Sequence, residues 1–263
     1  MTPTLRLDRV GVRRRGRVIL HDISMECQQG TVTSLHGSNG AGKSTLLGVA
    51  TGLMEPSWGT VQNRSASTSY LPERFNPPSG MSVATYMNWV AGTRGLQRRA
   101  RYRAVSTTLD SLGFTGPWGP LRLLSKGNLQ RVGIASALIG ATGLIVLDEP
   151  FTGLDAAGTD LVTRAIEDAR AMGSTLLVVH HGAAPFAASQ SLWLEEGKLT
   201  PRSPIRYVIH ALTNDSLPAL PDTTMVMPAS MGRAVINSAS DTVEATLRAI
   251  LSAGWVVEGV ERE

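Results

Sequence analysis

LHGSNGAGKST, running from Leu35 to Thr45, is the stretch whose reading decides the fold. A short β-like run (Val32, Ser34 and Leu35 around Thr33) leads into it, and LLGVATGL, which follows, reads as a helix. The spacing G-x-x-x-x-G-K-[ST] is met by Gly37, Gly42, Lys43 and Ser44. Gly37, Gly40 and Gly42 let the backbone turn tightly, so the N–H groups of Ser38, Asn39, Ala41 and Thr45 can point with theirs at a phosphate chain. Lys43 reaches the β- and γ-phosphates, and the Ser44 hydroxyl can ligate Mg²⁺. A strand before and a helix after make this a nucleoside triphosphate site.

Working outward, the 263 residues suffice for one large domain with a small appendage, and 42% hydrophobic content supports a sizeable core. The net charge of +4 comes almost wholly from arginine, since Lys43, Lys126 and Lys198 are the only lysines. The basic clusters, Arg13–Arg15 and Gln97–Arg103, read as solvated surface rather than a polyanion site. No nucleic-acid partner is expected. Cys27 stands alone, so no intrachain disulfide can form and a reducing compartment is expected. The N-terminus lacks the apolar centre of a signal peptide. The longest apolar stretch, Val132–Leu147, is broken by Gly133, Gly140 and Gly143 and is too short to span a membrane.

Apolar and polar residues alternate over residues 4–35, predicting strands and turns. A helix ends near Gly52, Pro56–Gly59 is a turn, and Ser69–Leu71 a short strand. Residues 82–92 and 98–112 carry helical patterns, predicting a helical insertion of about residues 74–140. A helix over 125–139, the apolar run Leu144–Leu147, a helix over 156–172 and the run Leu176–Val179 imply a mostly parallel sheet covered on both faces. Leu192–Leu199 reads as a hairpin-like pair. This gives an α/β P-loop NTPase domain over 1–200 with an antiparallel N-terminal portion. Pro201 and Pro204 mark a linker. A small α+β extension follows over 205–263, with strands at 206–210, 225–227 and 255–260 and a helix opened by Asp241 and Glu244. It reads either as a dimerisation or regulatory unit or as a βαβ-like packing extension.

LIVLDEP, Leu144–Pro150, sets two carboxylates at the C-terminal edge of a buried strand, where the ligand crevice of an α/β sheet lies. Asp148 can hold Mg²⁺, and Glu149 can polarise a water for attack on the γ-phosphate. LLSKGNLQR, Leu123–Arg131, then resembles the signature segment of the ATP-binding-cassette (ABC) ATPases through Ser125, Lys126, Gly127 and Asn128. FTGLD (Phe151–Asp155) resembles that family's D-loop, and TLLVVHH (Thr175–His181) its switch strand, with His181 in the switch position and His180 a packed neighbour. The motifs come in the family's order over roughly residues 4–200.

The resemblance implies two such subunits closing head to tail around two ATP, each ATP meeting the phosphate loop of one subunit and the Ser125–Asn128 segment of the other. His181 would orient the attacking water, and a separately encoded membrane permease would be driven from the cytoplasmic face of the membrane. The second ATPase subunit would be another copy or a close paralogue. The chain departs from the family pattern in three respects. Glu73 stands where a Mg²⁺-contacting glutamine is usual, Arg13–Arg15 offer no aromatic ring to stack on adenine, and Lys126 and Asn128 replace Gly and Gln. Arginine can stack on a base through its guanidinium, so loosely base-selective binding is expected. YLPE with SKG resembles an exporter subgroup, implying export. The alternative is a soluble ABC ATPase acting on ribosomes or nucleic acid; a regulatory module without turnover is disfavoured by Glu149 and His181.

Overall fold

The computed structural model describes residues 3–65, 67–78, 80–180, 184–200, 206–212, 220, 225–229, 233–239 and 243–262. The chain divides into two units, Met1–Thr200 and Pro201–Glu263.

The first unit opens with a long hairpin, β1 (Pro3–Arg14) and β2 (Arg17–Gln28). β3 (Val32–His36) then carries the chain to α1 (Lys43–Ala50). β4 (Trp58–Asn63) returns to pair with β1, giving an antiparallel sheet ordered β2-β1-β4. The expected turn at Pro56–Gly59 is thus partly strand. Gly11 accommodates this return, since a Cβ there would sit 1.9 Å from the Trp58 ring.

β5 (Thr68–Leu71) precedes three helices of the insertion: α2 (Val83–Thr93), α3 (Arg98–Ser111) and α4 (Lys126–Leu138). Ser82 caps α2 by accepting from the Thr85 N–H. Only Val105 and Leu109 of α3 are buried, so its arginines lie on a largely solvated helix. β6 (Leu144–Asp148), α5 (Ala156–Ala171), β7 (Thr175–Val179), β8 (Gln190–Glu195) and β9 (Lys198–Thr200) complete the unit.

The main sheet runs β5-β6-β7-β3-β8-β9, parallel except for β9. Every residue of β6 and β7 is buried, which is why both read as uninterrupted apolar runs. One face of the sheet packs Leu35, Val146, Leu177 and Val179 with α1 and the antiparallel sheet. The other packs Val32, Ile145, Leu147 and Val178 with the helical insertion and α5. Each fully buried Leu or Val contributes about 1.5–3 kcal/mol, so these two layers hold the strand ends rigidly. Cys27 is wholly buried, and burial pushes its thiol up to about 11; such a thiol is inert.

In the second unit β10 (Arg206–Leu212), β11 (Met225–Ala229), β12 (Arg233–Ala239) and β13 (Val256–Arg262) form an antiparallel sheet ordered β11-β12-β10-β13. α6 (Val243–Ser252) joins β12 to β13. Both strands are antiparallel to β10 between them, so the passage from β12 through α6 to β13 is a split βαβ crossover. β12 carried no strand expectation, and Asp241, read as opening the helix, lies outside the described residues. Ile209, Ile236, Ile250 and Trp255 form this unit's own core.

Candidate nucleotide site

A cleft of about 360 Å³ opens at the C-terminal edge of the parallel sheet. It is lined by Ile19, Asn39, Gly40, Gly42, Lys43, Ser44, Thr45, Glu73, Asp148 and Glu149. Most of the residues singled out in sequence therefore meet in one place. α1 starts there with Gly42 as N-cap at φ 105°, a left-handed conformation, and no side chain caps it. Its first N–H groups and positive dipole end are left to face the cleft. Gly37 is required for a different reason: a Cβ would lie 2.3 Å from the Leu194 carbonyl oxygen. Lys43 Nζ donates to the carbonyls of Gly37 (2.7 Å) and Ser38 (3.0 Å), while the Ser38 carbonyl also accepts from the Ala41 N–H at 3.2 Å. Ala41 is buried and supports the loop from behind.

Asp148 and Glu149 are both buried. Burial, then the charges of Glu73 and Glu149, push the Asp148 carboxyl up to about 6, against the pull of Lys43 and of a Glu73 backbone N–H. Burial and then the same neighbours, Asp148 and Glu73, drive the Tyr70 phenol up to about 12. Three carboxylates facing one lysine among the described lining residues make a site that a cation would relieve. With the Ser44 hydroxyl, Asp148 and Glu73 supply hard oxygen donors, the chemistry Mg²⁺ requires. The donor set fits that ion, and fits Glu73 as well as a glutamine in its place.

Glu149 has φ 54°, a strained conformation for a residue with a Cβ. Its N–H donates to the Val179 carbonyl at 2.9 Å, and its carbonyl accepts from the Thr152 N–H at 3.2 Å. A third restraint escaped sequence reading. Gln130, buried on α4, donates from Nε2 to the carbonyls of Glu149 (3.2 Å) and Pro150 (3.1 Å). The only hint in the sequence was a glutamine among the apolar residues that α4 buries.

Ser125, Lys126, Gly127 and Asn128 do not line this cleft. Ser125 is the exposed N-cap of α4, its Oγ accepting from the Asn128 N–H at 3.3 Å. The Asn128 side-chain oxygen accepts from the Thr115 N–H at 3.2 Å. Arg131 ties the same helix down by donating to the Leu112 carbonyl (3.0 Å) and to Asp155 (3.3 Å), whose carboxylate caps α5 through the Gly158 N–H at 3.0 Å. His181 lies outside the described residues.

A phosphate loop with paired carboxylates at the sheet's edge, and a signature helix fastened to them by Gln130, define the class of an ATP-binding cassette. The ABC transporter family model matches residues 20–152, and the chain belongs to that family. It is 35% identical over 183 residues to the zinc import ATP-binding protein ZnuC of Pseudomonas aeruginosa strain UCBPP-PA14, covering 67% of this chain. That match spans 65% of the relative's length. ZnuC of Halorhodospira halophila is 30% identical over 76% of this chain and 77% of its own. A solved ATP-binding subunit of an ABC transporter superposes with a TM-score of 0.69 at 24% identity, over 75% of this chain and 88% of that one. The ATP-binding cassette MJ0796, solved as a dimer in a post-hydrolysis state with ADP and Pi, gives 0.68 at 21% identity, over 74% and 96%. These likenesses establish the fold. The curated relatives carry import in their names, so the export direction implied by YLPE and SKG has no support from them.

Proposed function

We propose that this chain is the ATP-hydrolysing subunit of an ABC transporter, closing head to tail with a second ATPase subunit around two ATP. It would drive a separately encoded permease from the cytoplasmic face of a membrane. The observation that carries the reading is the cleft itself, where an uncapped helix start and Lys43 face Asp148 and Glu149. No described helix is long and apolar enough to cross a membrane. The relatives' names support import as the direction.

In this reading the N–H groups of the loop and of α1 bind phosphate oxygens, and Lys43 exchanges its carbonyl partners for the β- and γ-phosphates. Ser44, Asp148 and Glu73 would hold Mg²⁺, which supplies charge neutralisation on the phosphate oxygens. Glu149 accepts a proton from water as the water oxygen joins the γ-phosphorus and the bond to the β–γ bridging oxygen breaks. Its strained backbone, fastened by Val179 and Gln130, fixes where that proton goes. His181 would orient the same water. Ile19 lines the cleft and offers no ring to stack on adenine.

The test is capture from detergent-solubilised membranes by tagged Glu149→Gln protein with ATP and Mg²⁺. A multi-span membrane protein coming down with it is the expected result. Ribosomes or DNA in its place would overturn the transporter assignment.

A further inference from the structure

Beside the start of the phosphate loop lies a polar cluster that the hydrolysis chemistry above does not use. Ser34 on β3 and His180, just past β7, are 0% and 3% exposed, yet their neighbours Leu35, Val178 and Val179 are apolar. Ser34 Oγ lies 2.8 Å from His36 Nε2 and 2.7 Å from His180 Nε2. A hydroxyl has a single proton and can donate to only one of these rings. At least one imidazole must therefore carry its proton on Nε2 and donate to Ser34. The two rings meet edge to face with centroids 4.5 Å apart. His36 also stacks on Trp193 of β8 at 4.4 Å and 15°, and His180 stands edge-on to Phe186 at 5.4 Å.

Both ends of this bridge lead into the site. His36 precedes Gly37, whose carbonyl accepts from Lys43 Nζ at 2.7 Å. His180 follows Val179, whose carbonyl accepts the Glu149 N–H at 2.9 Å. The bridge thus runs across the sheet from the phosphate loop to the backbone of the water-activating carboxylate. Apolar side chains would fill the same space, but they lack direction. A hydrogen-bonded bridge in a dry interior fixes one register between the strand ends.

We infer that Ser34, His36 and His180 are positioning residues that hold the phosphate loop and Glu149 at a set separation across β3 and β7. They align water with the γ-phosphate without touching either. The inference rests on the ATP-hydrolysing reading above.

Two measurements test it. In steady-state hydrolysis of ATP with Mg²⁺, Ser34→Ala and His180→Phe should each lower kcat about tenfold by misaligning the reacting groups. KM should stay within about twofold, since the phosphate loop itself is intact. The double variant should be no slower than either single one, because one change already breaks the bridge. Losses that multiply in the double variant, or a lowered melting temperature with unchanged kcat, would overturn the inference. Independently, long-range ¹H–¹⁵N correlation spectra of nucleotide-free protein should show an Nε2–H tautomer for His36 or His180. Ser34→Ala should move the Nε2 signals of both rings, and movement of only one would overturn the bridge. Wild-type protein that fails to hydrolyse ATP would count against the functional reading alone, leaving the spectra to decide the bridge.

Discussion

α1 and α4 each begin with a residue read as meeting phosphate, and they begin differently. α1 opens on Gly42 in a left-handed conformation with no side-chain cap, inside a cleft walled by Asp148 and Glu149. α4 opens on Ser125, exposed, capping its own helix and lining no part of that cleft. An uncapped helix start is costly unless a ligand claims its N–H groups. A capped start is stable without one and can offer itself to a ligand held elsewhere. The contrast is what a subunit needs if it owns one half of each of two shared sites.

The comparison breaks most sharply at Lys43. Lys43→Ala should weaken ATP binding about 100-fold by removing a charge-assisted contact to phosphate, as isothermal titration would measure. Wild-type affinity would overturn the reading of the α1 end. Ser125→Asp separates capping from phosphate contact at the other end. Aspartate caps as well as serine and favours the helix dipole, so the melting temperature should hold and ATP should bind the single subunit normally. Turnover should fall about 100-fold, because a carboxylate would then face the incoming γ-phosphate. Unchanged turnover would leave Ser125 with capping as its only role.

Gln130→Leu probes the connection between the two ends. Removing its two bonds to the Glu149 and Pro150 carbonyls should cost about 1–2 kcal/mol of stability. Turnover should fall about tenfold as Glu149 loses a restraint.

Asp148→Asn is read on the stability of the nucleotide-free protein, where it has a distinctive pH dependence. The folded-state carboxyl is raised from an ordinary 3.8 to about 6, so its charge destabilises the fold fully above pH 6 and not at all below about 4. The substitution should stabilise the nucleotide-free protein by about 1–3 kcal/mol near pH 8. That gain should fade as pH falls through 6 toward 4, as denaturation at several pH values would show. A gain that grows on acidification would contradict the placement of Asp148 among like charges.

How far these features were legible in the sequence follows from how local their physics is. The phosphate loop is a run of eleven residues whose glycines act through their own backbone and whose Lys43 reaches carbonyls of the same loop through Nζ, so its geometry was legible from one stretch. The buried strands β6 and β7 announced themselves because every side chain in them is buried. β4 hid because Gly59, at φ 84°, and Pro56 carry turn chemistry into a strand that only pairing with β1 sustains. β12, RAVINSA, is held by two antiparallel neighbours rather than by its own pattern. Gln130 and the Ser34 bridge were invisible for the same reason. Their partners are 19 and 146 residues away, and sequence spacing carries no record of which strand ends lie side by side.

The central claim, that one chain holds half of each of two ATP sites, is tested most directly by the mass of Glu149→Gln protein in solution. Light scattering across a size-exclusion peak, with and without ATP and Mg²⁺, suffices. Glu149→Gln removes the proton acceptor and leaves both helix starts intact, so hydrolysis should slow about 1,000-fold and the nucleotide should hold two subunits together. A monomer mass without ATP and twice that mass with it is the expected result. A monomer that binds ATP tightly yet never pairs, or a variant that turns over at the wild-type rate, would contradict the account.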